Sequence, residues 1–214
     1  MFIYYSIIMK KLVFLLLPFL LVGSFVFAYT SQEQKEAYDW AYSKWITTQP
    51  IEKANLNWYI TRQALAKMLV KFHEARYGET VHISDPKACN FADKDKITED
   101  LKEYVHAACE FEYMWVWTKY FNPMWNVTRA QFGTTLSRLL YWSNFDGWTP
   151  YYQKHLDYLK KKWIMENISN PNINEKRGDI MVMLKNANDE LNNEIEWLIQ
   201  GESDPLNKLI QGLK

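Results

Sequence analysis

One phrase occurs three times in this chain, and its recurrence limits the fold more than any other feature. The fullest copy spans residues 126–140 and reads NVTRAQFGTTLSRLL. Thr128 can cap the first turn of a helix, and Gln131, three residues on, can reach back to form a capping box. Phe132, Leu136, Leu139 and Leu140 then fall at helical spacing on one apolar face. An earlier copy reads Tyr59-Ile60-Thr61-Arg62-Gln63-Ala64-Leu65, with Thr61 as its cap, and a weaker one reads Asn174-Glu175-Lys176-Arg177-Gly178. A chain with such copies is built from repeats.

The spacing extends the repeat beyond the phrase. Trp45 lies 16 residues before Thr61, Glu112 lies 16 before Thr128, and Trp163 lies 13 before Lys176. Each unit therefore reads as a helix, an irregular loop, and a second helix that opens on an arginine. The first helices are expected over residues 32–46, 98–113 and 151–163. Ala37, Tyr38, Ala41, Tyr42 and Trp45 share a face in the earliest of them. The second helices are expected from Thr61, from Thr128 and over residues 175–188. Leu65, Met68, Leu69 and Phe72 mark the buried stripe after Thr61. A tail over residues 189–214 reads as an amphipathic helix, a stop at residues 201–205, and a short last turn. Strand signals are weak, so the fold class expected is all-α. Units that cannot bury their apolar faces alone should pack together into one core.

The N-terminus carries an address. Met9-Lys10-Lys11 precedes an apolar run from Leu12 to Phe27, and Val26 and Ala28 suit a small-residue cleavage site before Tyr29. The alternative is an uncleaved membrane anchor, for which the run is short against the roughly 20 residues a spanning helix needs. Cleavage removes Lys10 and Lys11 and no acid, leaving 23 basic against 25 acidic groups. That balance offers no electrostatic attraction to nucleic acid or to an anionic membrane.

Behind a signal peptide, the only two cysteines, Cys89 and Cys109, most simply form a disulfide. Closing that loop contributes on the order of 3 kcal/mol, less any strain. The cysteine spacing does not fit a CxxC site, and His73, His82, His106 and His155 show no paired ligand spacing, so neither metal nor cofactor is expected. The carboxylate pairs Asp93/Asp95 and Glu99/Asp100 are neighbours on a loop and a helix start. A glycosidase needs two carboxyls facing across a cleft, about 5 to 9.5 Å apart. Capping and solvation explain these pairs more simply, and the expectation is a non-enzymatic protein.

Laid out in this way, the chain resembles the S-layer homology (SLH) domain family. That family's repeat runs Phe-x-Asp, a helix, Gly-Ile, a turn ending in Phe-x-Pro, and Ile-Thr-Arg-Ala-Glu opening a second helix. The second unit matches with Phe91-Ala92-Asp93, Phe121-Asn122-Pro123 and Val127-Thr128-Arg129-Ala130-Gln131. The first keeps Ile60-Thr61-Arg62, and the third keeps Ile164 and Arg177. The resemblance covers about residues 35–188. Behind the signal peptide read at 1–28, it implies repeats at 29–78, 79–143 and 144–188, followed by the helical tail at 189–214. It also implies a pseudo-threefold helical prism that binds cell-wall-linked polysaccharide in grooves between repeats. Carried over, the family's groove arginine nominates Arg62, Arg129 and Arg177, whose planar forks suit a carboxylate on an acidic sugar.

Two departures bear on binding. The family's Ala-Glu becomes Gln63-Ala64, Ala130-Gln131 and Gly178-Asp179. A cation at a helix N-terminus is also disfavoured by the macrodipole, so each arginine needs a partner. That partner is either an acid of the neighbouring repeat or a ligand.

The chain has ten tryptophans and only seven glycines. Trp45 and Trp163 stand where the family has the glycine of Gly-Ile, and Trp115, Trp117, Trp125, Trp142 and Trp148 fall in turns or at a helix end. Such places favour glycine, which alone takes positive φ cheaply. Some genetic codes read UGA as glycine and others as tryptophan. Several of these residues are therefore expected to be glycine codons read as tryptophan. An aromatic-rich sugar-binding surface is the alternative.

The functional expectation is an exported protein of a bacterial cell envelope that binds cell-wall polysaccharide or contributes to a surface layer, with other envelope proteins as further partners. The alternative is a helical module of the same fold that serves protein–protein contact.

Overall fold

A computed structural model describes residues 29–81, 89–114, 119–147 and 149–212, with side chains as far as residue 200. The signal-peptide reading, His82, Trp115, Trp117 and Trp148 lie outside the described residues. The described chain is helical, as the repeat pattern requires. Its helices are α1 (Ser31–Ser43), α2 (Arg62–Tyr77), α3 (Lys102–Glu110), α4 (Arg129–Tyr141), α5 (Gln153–Lys161) and α6 (Arg177–Gly212).

The expected starts hold best where capping chemistry is complete. Thr128 accepts from the Gln131 amide while the Gln131 side chain accepts from the Thr128 amide, at 3.3 and 3.1 Å. Thr61 holds the same position before α2, yet its hydroxyl makes no cap hydrogen bond. The residue three places on is Ala64, which cannot reach back to close a box. A capping box that the sequence reading missed, Thr30 with Glu33, starts α1.

Besides shifts of two residues at the ends of α5 and the start of α6, three boundaries differ from expectation. Helix α1 ends at Ser43, because Lys44 leaves the helix and Trp45 turns to a φ of 60°. The stretch expected as one helix over 98–113 begins as a short 3₁₀ turn, Glu99–Leu101, before α3. Helix α6 runs through residues 201–205 without the expected stop. Pro205 removes one backbone hydrogen bond there, which bends or weakens a helix but does not forbid one.

Helices pack between units rather than within them. The main pairings are α2 with α3, α4 with α5, and α6 back onto α1. Each unit's second helix thus meets the next unit's first, and the last closes on the first. At the α4–α5 contact, Gly133 leaves room for Leu156: a Cβ there would lie 2.2 Å from Leu156 Cδ2. Tyr38, Phe72, Phe121, Phe132, Leu136 and Leu159 are among the side chains sealed in the single core.

A closed ring of backbone hydrogen bonds joins the three copies of the repeated phrase. The Ile60 amide donates to the Glu175 carbonyl, the Glu175 amide to Val127, and the Val127 amide to Ile60, at 3.3, 2.9 and 2.8 Å. A second cycle lies outside it. The amides of Arg62, Arg129 and Arg177 donate to the carbonyls of Trp125, Ile173 and Trp58, at 2.9, 2.8 and 2.9 Å. A third joins Gln63, Ala130 and Gly178 to Pro123, Pro171 and Leu56. The first-turn amides that helices leave unpaired are therefore satisfied by the neighbouring unit's loop.

Those loops share a backbone signature. Asn55, Asn122 and Asn170 all take positive φ, at 50°, 57° and 50°. Asparagine tolerates this region better than other side chains that carry a Cβ. In the second unit the loop is also held by Asp93, whose two carboxylate oxygens accept from the amides of Phe121 and Asn122, each at 2.8 Å. Phe91 packs on Phe121 with ring centroids 5.2 Å apart. Cys89 and Cys109 form the expected disulfide, tying the residues just before Phe91 to α3.

Candidate arginine sites between repeats

Every nominated arginine sits at the first position of its unit's second helix and reaches across to the neighbouring unit's loop. The acceptors are equivalent too. Arg62 Nε donates to the Phe121 carbonyl at 2.7 Å, Arg129 Nη1 to Ser169 at 2.6 Å, and Arg177 Nη1 to Ala54 at 2.8 Å. Each carbonyl lies one residue before the positive-φ asparagine. The helix start fixes where the arginine begins, and the asparagine turn presents the carbonyl that receives it.

The three differ in how their charge is answered. Arg129 is buried and forms a 2.5 Å ion pair with Glu175, which is only 2% exposed. Its Nη1 also donates to the Asn167 side chain at 3.4 Å. For this arginine the structure contains the neighbouring-repeat acid that the sequence reading left as one of two options. Burial pushes the Glu175 carboxyl above the usual carboxylate range, against the pull of Arg129.

Among the described residues, Arg62 and Arg177 have no acid within ion-pair distance. Burial holds the Arg62 guanidinium below its ordinary value, opposed by Tyr151 and then by Asp93, whose carboxylate is already engaged by backbone amides. The Arg62 guanidinium lies 4.9 Å from the Phe121 ring centroid, a cation–π contact that supplies no countercharge. The Nε of Arg177 is buried and makes no hydrogen bond.

Glu175 escaped the sequence reading, although a signal was available. It occupies the place held by Ile60 and Val127 in the other two phrases, where an acid is out of pattern. The departures from Ala-Glu have local explanations. The Gln63 side chain bonds to Thr98 through both its amide nitrogen and its oxygen, each at 3.0 Å. Gly178 makes room for Gln34, since a Cβ there would lie 2.7 Å from Gln34 Cδ. Gln34 in turn donates to Asp179 at 2.8 Å.

The carboxylate pairs do not converge. Asp93 is buried as a loop clamp, whereas Asp95, Glu99 and Asp100 are exposed. An open cleft of about 780 Å³ lies elsewhere, lined by Glu33, Asp157, Lys160, Lys161, Trp163 and Glu166. The three arginines do not line it.

The tryptophans divide by backbone. Trp45, Trp142 and Trp163 have φ of 60°, 57° and 57°, whereas Trp125 lies outside the positive-φ region. Trp142 caps α4 where the first unit's α2 ends on Gly78, which has a φ of 69°. No family model matches the chain, and no curated protein matches it.

Proposed function

We propose that this chain is an exported, non-catalytic protein of a bacterial cell envelope, built on the plan of S-layer homology domains, that holds cell-wall-linked polysaccharide or contributes to a surface layer. The observation that carries the proposal is the recurrence of one arginine per repeat, each reaching over an asparagine turn of the next unit. On this reading the backbone ring is the axis of a pseudo-threefold prism, and the boundaries where the arginines lie are its grooves. An ion pair with an acidic sugar substituent would offset the burial of a guanidinium that lacks an internal acid.

The test is co-sedimentation of the mature protein with polysaccharide-bearing cell-wall sacculi, comparing wild type with Arg62→Ala, Arg129→Ala and Arg177→Ala. Pelleting that depends on arginines, in variants of unchanged helicity, supports the proposal. A folded wild type that stays in the supernatant sinks it.

A second reading, a protein-contact module, is favoured by the far part of α6. There Ile195, Trp197, Leu198 and Ile199 are all exposed. A patch of this kind suits a partner surface.

A further inference from the structure

The three arginine sites are equivalent in backbone and unequal in charge. In the ring of phrases, the segment that receives the Arg129 amide ends in Glu175. The segment that receives Arg177 ends in Ile60, and the one that receives Arg62 ends in Val127. Ile60 and Val127 are wholly buried and apolar. One residue therefore stands in the corresponding place beside each arginine, and it is an acid only once.

We infer that this residue sets which boundaries bind an anion: those at Arg62 and Arg177 take a carboxylate-bearing saccharide, and the one at Arg129 does not. The inference rests on the polysaccharide-binding reading above and specifies it. At Arg129 an internal carboxylate at 2.5 Å already neutralises the guanidinium, so an external carboxylate would meet no net charge. At Arg62 and Arg177 no described acid does so. The Arg177 Nε, buried without a partner, is the same nitrogen that in Arg129 donates to Glu175. Arg129 thus displays the complement that the other two lack: a loop carbonyl on one nitrogen and a carboxylate beside it. At the other two, only the carbonyl is supplied from within.

The role of Glu175 is accordingly to silence one site of three. Its replacement by valine, the residue in the second phrase, should open the third site. Placing glutamate at position 127 should close the site at Arg62.

The experiment is NMR of the arginine Nε–H signals, assigned by single Arg→Lys substitutions. The probe is acidic polysaccharide released from the sacculi and fragmented, beside the same fragments with their carboxyls reduced. In wild type the acidic fragments should shift the Arg62 and Arg177 signals and leave Arg129 unmoved. The reduced fragments should bind at least about tenfold more weakly, the equivalent of one charge-assisted contact. Glu175→Val should give Arg129 a response, and Val127→Glu should remove that of Arg62. Glu175→Gln provides a milder version that keeps a hydrogen-bonding group beside Arg129, in case the valine variant fails to fold.

An Arg129 response in wild type equal to the other two overturns the inference. So does equal binding of the reduced fragments, or a folded Glu175→Gln chain in which Arg129 stays silent. If sacculi pellet the protein while no arginine signal moves, the inference falls and the envelope reading stands. If neither occurs, both fall.

Discussion

Trp45 and Trp163 adopt the same backbone conformation, with φ of 60° and 57°, at the second residue after the ends of α1 and α5. Both indoles are largely in solvent, at 72% and 79% exposure. The conformation costs an L-residue roughly 1–2 kcal/mol, and exposed rings return little by burial. Glycine takes it without that penalty but loses more chain entropy on folding. Trp45→Gly and Trp163→Gly should therefore each stabilise the protein by about 1 kcal/mol, raising Tm by a few degrees. Trp125→Gly, at a residue without positive φ, should not stabilise. Thermal unfolding of the three variants checks this. Reading the gene's codons checks its origin: UGG at positions 45, 142 and 163 would make the tryptophans genuine and the strain real, whereas UGA is the codon that a glycine-reading code requires there.

A pH dependence follows from His155. It is fully buried, and its Nε2 lies 3.1 Å from Asp146 Oδ1, which also accepts from Arg138 Nε at 3.0 Å. Its Nδ1 is buried without a partner. Burial lowers the imidazole's proton affinity, against the pull of Asp146. The unfolded chain therefore takes up more protons than the folded one, and stability falls as pH drops below the free-imidazole value of about 6.5. The full penalty is reached once pH is below the lowered folded value. Denaturant unfolding at pH 7.5 and pH 5 should show a smaller loss for His155→Gln than for wild type. An equal loss would assign the acid sensitivity to other groups, of which His73, also lowered by burial, is the first to examine.

How legible the fold was depended on whether a feature is written locally. Thr128 with Gln131 was readable because both halves of the box lie within one turn, and the Cys89–Cys109 pairing was readable because no third cysteine competes. The expected stop at residues 201–205 does not occur, although glycine and proline are the residues that most disfavour a helix interior: a proline there removes a hydrogen bond and kinks a helix without necessarily ending it. At the candidate sites the arginines themselves were visible. Their partners were not, because Glu175 and Arg129 are 46 residues apart and only the ring brings them together. The repeat pattern could nominate Arg62, Arg129 and Arg177 as alike, but the difference between them depends on contacts between units.

The disulfide should matter most to the second unit. It joins residues 20 apart and anchors the chain at Cys89, just before Phe91 and Asp93. Loop closure of that length contributes roughly 3 kcal/mol in the chain-entropy account. A Cys89→Ala/Cys109→Ala variant should lose about that much in denaturant titration, and reductant should lower the stability of wild type by a similar amount while leaving the variant unchanged. A reductant-insensitive wild type would mean that the pair does not form in the isolated protein.

Gly133 offers the sharpest test of the packing between units. It lies mid-helix in α4, where glycine is intrinsically unfavourable compared with alanine. On propensity alone, Gly133→Ala should stabilise by close to 1 kcal/mol. The contact predicts the opposite, since the new methyl would sit 2.2 Å from Leu156 Cδ2 and 3.3 Å from Met165 Sδ. Leu156 is 1% exposed, so its side chain has no solvent to swing into. Overpacking of this kind costs typically 1–3 kcal/mol, and the expected net change is a destabilisation of about 1–2 kcal/mol. Leu156→Ala, which alone should cost about 2–5 kcal/mol, should cost less in the Gly133→Ala background, because the two residues compete for one space. The double-mutant cycle should therefore be strongly non-additive. Stabilisation by Gly133→Ala, or simple additivity with Leu156→Ala, would mean that α4 and α5 do not pack in this register, and the alignment of the second unit against the third would have to be redrawn.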